Sequence, residues 1–302
     1  QFDGSYHDWF GDGIKRCLLA AIDDATGVPM KLVFEEHEGV LPVFRFWKSY
    51  VETRGKPKAV YHDRFSTYRV NMKKLKDDED VRTQFVRALN ALGIQSIAAN
   101  SPQAKGRVER LFGTLQDRLV KELRLEGITT VTAANIFLEE TFCAWYRKRF
   151  GVPPAHARDA HDALSEKERA MLQSIFSRQE ERVIQNDFTI RHKNAWFQLK
   201  EVQPCLVRPK ATVIVEEWTD GALHARLGKH ELSFVALPRR PQPRWERSPV
   251  ALTTHAPHRE RKVPAPDTDD VVEKDSRAGM KKWKRSNNLF FPPRRNTKDK
   301  NT

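Results

Sequence analysis

Cysteine is scarce, with three in 302 residues, and Cys17, Cys143 and Cys205 stand far apart. That spacing offers neither a disulfide framework nor a zinc motif, and a reducing interior suits it best. Long apolar runs are missing too. None approaches the roughly 20 residues that span a bilayer, so no membrane is expected as a partner. The sequence begins Gln1-Phe2-Asp3, without a starting Met or a signal-peptide pattern; it reads as a chain cut at its start, with an upstream domain missing. Acid is in deficit: 53 Lys and Arg face 40 Asp and Glu, giving a formal charge of +13 and a pI near 9.7. Such a surplus favours a polyanionic partner, nucleic acid well ahead of an anionic membrane. What is present suffices for a real core, at 39% hydrophobic residues, and the length suggests about two domains. No internal repeat is visible.

The first half alternates between strand and helix signals. Phe2 to Ser5 reads as the end of a strand, and Cys17 to Ile22 is an apolar run stopped by the turn Asp23-Asp24-Ala25-Thr26-Gly27. Val28 to Glu35 then alternates as the return strand of a hairpin. Val40 to Arg54 carries an apolar helical stripe and ends at Gly55, a C-cap residue. Lys58 to Asp63 reads as a short strand ending in an acid. Lys73 to Arg82, dense in Lys and Asp, is expected as an exposed loop, Gln84 to Leu92 as a helix and Gly93 to Ala98 as a strand. A second long helical run covers Thr132 to Arg149. Antiparallel strands followed by strand-helix alternation predict an α/β fold, a mixed sheet flanked by helices.

The stretch Asn100 to Arg110 opens a further helix, with Ser101 as N-cap and Pro102 at the first position. Apolar residues then return from Val108 to Leu123 at helical spacing. Lys105, Arg107 and Arg110 surround one acid, Glu109. On the plainest reading Glu109 pairs on the surface with Lys105 or Arg110. Two other acids change its standing. Active sites of open sheets gather at the carboxyl ends of strands, and Asp3 and Asp63 are both expected there. Three carboxylates from separate segments suit two-metal phosphoryl transfer, in which hard Mg²⁺ ions take carboxylate and phosphate oxygens.

The residues Gln1 to Phe10 around Asp3, then Ile22 to Gly27, Tyr61-His62-Asp63-Arg64 and Ala99 to Arg110 together resemble the DDE transposases with a retroviral-integrase-type core. The nearest likeness is to ISNCY-type bacterial insertion-sequence transposases, and it covers about residues 1 to 160. The resemblance implies a ribonuclease H-like fold with Asp3, Asp63 and Glu109 as the metal-binding catalytic triad. It also implies two Mg²⁺ ions per site, with Mn²⁺ as a substitute, double-stranded DNA as partner (element ends and target), a homo-multimer on DNA, and a cytoplasmic, nucleoid-associated location. Lys105, Arg107 and Arg110 are then expected on DNA phosphates. A metal-dependent nuclease or resolvase of the same fold, and an inactive transposase-derived DNA-binding protein, remain open alternatives.

Neighbouring acids read differently. Asp23 and Asp24 suit backbone hydrogen bonding in their turn. Asp8 and Asp12 suit a surface loop, and His62 should face away from Asp63. Trp9 and Trp47 read as packing residues. The expected domains are a catalytic core over 1–164, a helical connector over 165–181, a small β-barrel over 182–238 and a disordered basic tail over 239–302. Short strands and the Asp220-Gly221 hairpin signal carry the barrel reading. The resemblance suggests DNA or subunit contacts for it; simple packing on the core is the alternative. From Pro238 onward nine of the seventeen prolines fall in a stretch too poor in apolar residues to fold. There, Lys281-Lys282-Trp283-Lys284-Arg285 suits a phosphate backbone and a stacked base, or simple solubilisation.

Overall fold

The structure is a computed structural model that describes residues 1–63, 72–99 and 106–239, with the backbone alone at 63, 72–79, 81 and 82. All of these lie in one compact unit, Gln1–Pro243; the second unit, Arg244–Thr302, falls outside the described residues, and the expected tail with it. The chain opens with β1 (Phe2–His7), β2 (Arg16–Ile22) and β3 (Pro29–Glu35), followed by α1 (Val40–Arg54). Next come β4 (Lys56–Pro57), β5 (Ala59–Asp63), α2 (Met72–Ala91), β6 (Gln95–Ala99) and α3 (Gly106–Leu125). Then α4 (Val131–Phe137) passes through one π-helical turn, Leu138–Phe142, into α5 (Cys143–Phe150). After β7 (His161–Asp162) and α6 (Glu166–Ile175) the chain becomes all strand: β8 (Arg178–Val183), β9 (Thr189–His192), β10 (Ala195–Leu199), β11 (Thr212–Glu217), β12 (Leu223–Leu227), β13 (His230–Leu232) and β14 (Phe234–Leu237).

The apolar run of β2 is explained by burial on both faces. Cys17, Leu19 and Ala21 meet α1, α2 and α6, while Leu18, Ala20 and Ile22 meet α3 and the α4–α5 segment. β1, β2 and β3 form an antiparallel sheet between these two helical layers, and β5 and β6 form a parallel pair beside β1, with no ladder joining the two sheets. Trp9 and Trp47 are fully packed, as expected. Asp8 accepts from the backbone of Asp12 and Gly13, both at 3.0 Å, and Asp12 pairs with Arg16 at 2.7 Å; both acids are loop fasteners. Cys17 is buried, which pushes its thiol up to about 12. No described helix is long and apolar enough to cross a membrane.

Three expectations need correction. Lys73 to Arg82 is not a loop: it lies inside α2. Lys73, Lys74 and Lys76 stand four residues before Asp77, Asp78 and Asp80, the spacing at which opposite charges support a helix. The helix expected through Glu181 ends at Ile175, and Arg178 to Val183 is a strand paired with β11. The expected barrel is not closed among the described residues. β13-β12-β11-β8 and β14-β10-β9 are separate antiparallel sheets over one apolar core that includes Ile184, Ile190, Val213 and Val215.

Gly55 shows how tightly the strap at β7 is drawn onto α1. Its φ is +85°, and an added Cβ would stand 2.6 Å from the carbonyl oxygen of Asp162. Gly55→Ala should therefore cost about 1–3 kcal/mol of stability in denaturant unfolding. Gly13, at φ +81° with open space around it, supplies the comparison: Gly13→Ala meets the backbone penalty alone and should cost less.

Candidate active site

Strand alternation decides which way β1 presents its acid. Phe2 packs into the core against Phe46, Trp47 and Phe85, with ring centroids 5.3–5.6 Å away. Asp3 and Ser5 thus take the other face, where Asp3 stands opposite Ala20 and the sheet is covered by Val108, Leu111 and Leu115 of α3. Asp3 is near the start of β1, which continues through His7, so it does not stand at a carboxyl end as its sequence suggested. What the structure does fix is the alignment of β1 with α3.

That alignment rests on a contact at each end. The Val108 amide donates to Oε1 of Gln1 at 3.1 Å, and Nε2 of Gln116 donates to Oγ of Ser5 at 3.4 Å. From residue 1 to 5 a strand rises about 13 Å; from 108 to 116 a helix rises about 12 Å. The two elements therefore run alongside each other in one direction, and Asp3 is level with the middle of that span. Glu109 lies seven residues before Gln116 on the same helical stripe, the one that looks toward β1.

The start of α3 is held by residues that sequence patterns do not mark. Gln1 Nε2 donates to Asp24 at 2.8 Å, and Arg107 Nε pairs with the same carboxylate at 3.0 Å. Asp24 is thus an anchor for the helix, while Asp23 fastens its turn through the Thr26 amide and hydroxyl at 3.0 and 2.6 Å. Arg110 Nε donates to the carbonyl of Gly106 at 2.9 Å. Glu109 is exposed and makes no ion pair among the described residues, so it does not pair with Arg110; Lys105 lies outside them. Ser101 and Pro102, the expected helix opening, lie outside them as well.

Asp63 is the last residue of β5, level with Ala99 in the parallel ladder, and its side chain lies outside the described residues. His62 before it is a core residue: it is 2% exposed, bonds Ser96 Oγ at 2.7 Å and meets Phe85 edge-on. Among the described residues no three His, Cys, Asp or Glu side chains are grouped to hold a metal ion.

Sequence comparison relates the chain to transposases, including those of bacterial insertion sequences. It is 38% identical over 235 residues to the "Putative transposase y4bF" of Sinorhizobium fredii, covering 78% of this chain and 51% of that protein. It is 34% identical over 200 residues to the transposase for insertion sequence IS1202 of Streptococcus pneumoniae, covering 65% of this chain and 41% of that one. The chain therefore spans about half the length of the curated relatives it matches. No protein-family model matches it. A chain of the simian T-cell lymphotropic virus intasome, solved in complex with PP2A regulatory subunit B56 gamma, superposes at a TM-score of 0.37 with 14% identity, over 79% of this chain and 78% of that one, a likeness too loose to fix the fold.

Proposed function

We propose that this chain carries the catalytic part of a DNA transposase of the DDE type, built on a ribonuclease H-like core. In this reading residues 1–164 are the core, 165–181 the connector, 182–238 the small β module and 239–302 a basic tail. The observation that carries it is the pair of contacts, Gln1–Val108 and Ser5–Gln116, that lays α3 along β1, from which we place Asp3 and Glu109 on one face, in a chain related to transposases.

The donor chemistry fits a hard divalent cation: two carboxylates on one face, one of them exposed and without a cationic partner among the described residues, and a third acid ending the strand next to β1. Asp3, Asp63 and Glu109 would hold two Mg²⁺ ions, or Mn²⁺ in their place, which when bound supply Lewis-acid activation of the attacking oxygen and stabilise the leaving one. Everything else falls to the protein. β1 and α3 hold two carboxylates at a fixed separation, so little reorganisation is needed as charge develops on the phosphate. Arg110, and Lys105 just before the described start of α3 in sequence, would supply positive charge for a DNA phosphate. Arg107 is expected on the same backbone; its Nε is held by Asp24, which leaves the terminal nitrogens of the guanidinium for a phosphate. The reaction proposed is cutting at the element's ends followed by attack of the freed 3′-hydroxyl on target DNA, by a homo-multimer on paired ends.

Supplying the protein, together with any segment its relatives carry beyond this span, with a pre-cleaved end tests the reading. Joining of that end to target DNA is the expected product. Hydrolysis with no joined product would instead make the protein a nuclease or resolvase.

A further inference from the structure

β5, the strand that ends in Asp63, has little ladder support. It is hydrogen-bonded along one edge, in a two-stranded parallel pair with β6, and among the described residues no ladder joins that pair to β1. Its inward side chains are Val60 and His62, 3% and 2% exposed, with Tyr61 between them 36% exposed. Val60 supplies apolar contact, which is non-directional and sets no exact position along the strand. An imidazole at the second inward position is costly to bury unless a hydrogen bond compensates it. The bond between its Nε2 and Ser96 Oγ at 2.7 Å does so, and the ring stands edge-on to Phe85 of α2.

We propose that the His62–Ser96 bond is the pin that fixes where Asp63 stands, which makes both of them positioning residues for the metal site; the inference rests on the triad reading above. In the parallel ladder His62 is level with Ala98, and Ser96 is level with Val60. The bond therefore runs diagonally, back across two residues of β6. A bond in that direction lengthens as soon as β5 slides past β6 toward the end that carries Asp63. Apolar packing around Val60 changes little over the same small shift. One peptide link separates the pinned residue from Asp63, so a movement at His62 is passed on almost undiminished. A reacting group misplaced by about 1 Å is enough to cost on the order of 10² in rate. His62 lies in the core, so it acts through the backbone of Asp63 and not on a metal or substrate.

The test is a Mn²⁺ titration of the full chain without DNA, read by water-proton relaxation, in which Glu109→Gln defines the ions held by the triad. Ser96→Ala should weaken that binding about tenfold, the lower end of what a lost outer partner costs a metal site. Ser96→Thr keeps the hydroxyl and should restore it. His62→Leu should match Ser96→Ala, and His62→Gln, which keeps a polar group on the side chain, should recover part of the loss. The double variant Ser96→Ala with His62→Leu should bind no more weakly than His62→Leu alone, because the two side chains share one bond. Val213→Ala, in the separate apolar core of the β module, lowers stability without touching β5 and should leave the Mn²⁺ affinity in place. Unchanged affinity in Ser96→Ala, or a loss in Val213→Ala equal to it, overturns the proposal and leaves the triad standing. If Glu109→Gln binds Mn²⁺ as the unaltered chain does, the triad reading falls and this inference falls with it.

Discussion

Glu109→Gln is expected to slow DNA strand cutting by at least about 10² to 10³-fold, or about 3–4 kcal/mol of barrier, in either Mg²⁺ or Mn²⁺. The amide keeps the size and one oxygen of the carboxylate but removes the charge that a hard cation needs. The same substitution should leave folding alone. Glu109 is exposed and makes no ion pair among the described residues, so the unfolding midpoint should move by no more than about 0.5 kcal/mol equivalent. Asp24→Asn is the informative companion. It takes the anchor from Arg107 and weakens that from Gln1 without touching a carboxylate of the triad, so it should lower the rate by a smaller factor by loosening α3. A Glu109→Gln protein that cuts DNA at the unaltered rate ends the catalytic reading.

Elements whose burial is simple were legible in the sequence. β2 is apolar on both faces, and α1 shows one clean stripe ending at Gly55, so both emerge nearly to the residue. Where charge stands in place of pattern, the reading fails. Residues 73–82 look like a loop because their only apolar residues, Leu75 and Val81, are too few to mark a face, although the four-residue spacing of the Lys and Asp is helical. Arg178 to Glu181 look like the end of a helix because these four residues are all polar and show no apolar alternation; the register of β8 comes from pairing with β11, which is distant in sequence. The site divides the same way. The motif marks Glu109, whereas the contacts that align it with Asp3 run through Gln1, Asp24 and Gln116, residues ordinary in type whose value lies in what they meet across the fold.

The same long-range logic joins the β module to the core, and Arg87 on α2 is where it concentrates. Its guanidinium donates to the carbonyls of Ile175 and Ser177 at 3.0 and 2.6 Å and to Oε1 of Gln84 at 3.2 Å. Gln84 in turn exchanges hydrogen bonds with the backbone of Gln179 at 2.7 and 3.1 Å, near the start of β8. Burial pulls the Arg87 pKa down to about 10, since carbonyl dipoles compensate a desolvated cation less than a carboxylate would. Arg87→Met fills a similar volume beneath Phe44 but strands those acceptors, and should cost about 3–5 kcal/mol in urea unfolding. Arg87→Lys keeps the charge without the planar fork and should recover only part of it. A double-mutant cycle with Gln84→Leu should show coupling of about 0.5–3 kcal/mol, because the two side chains share one network. If Arg87→Met instead costs under about 1 kcal/mol, the docking is carried by the apolar contacts of Leu172, Ile175 and Phe176 in the core, and the polar network sets only the register in which the module is held.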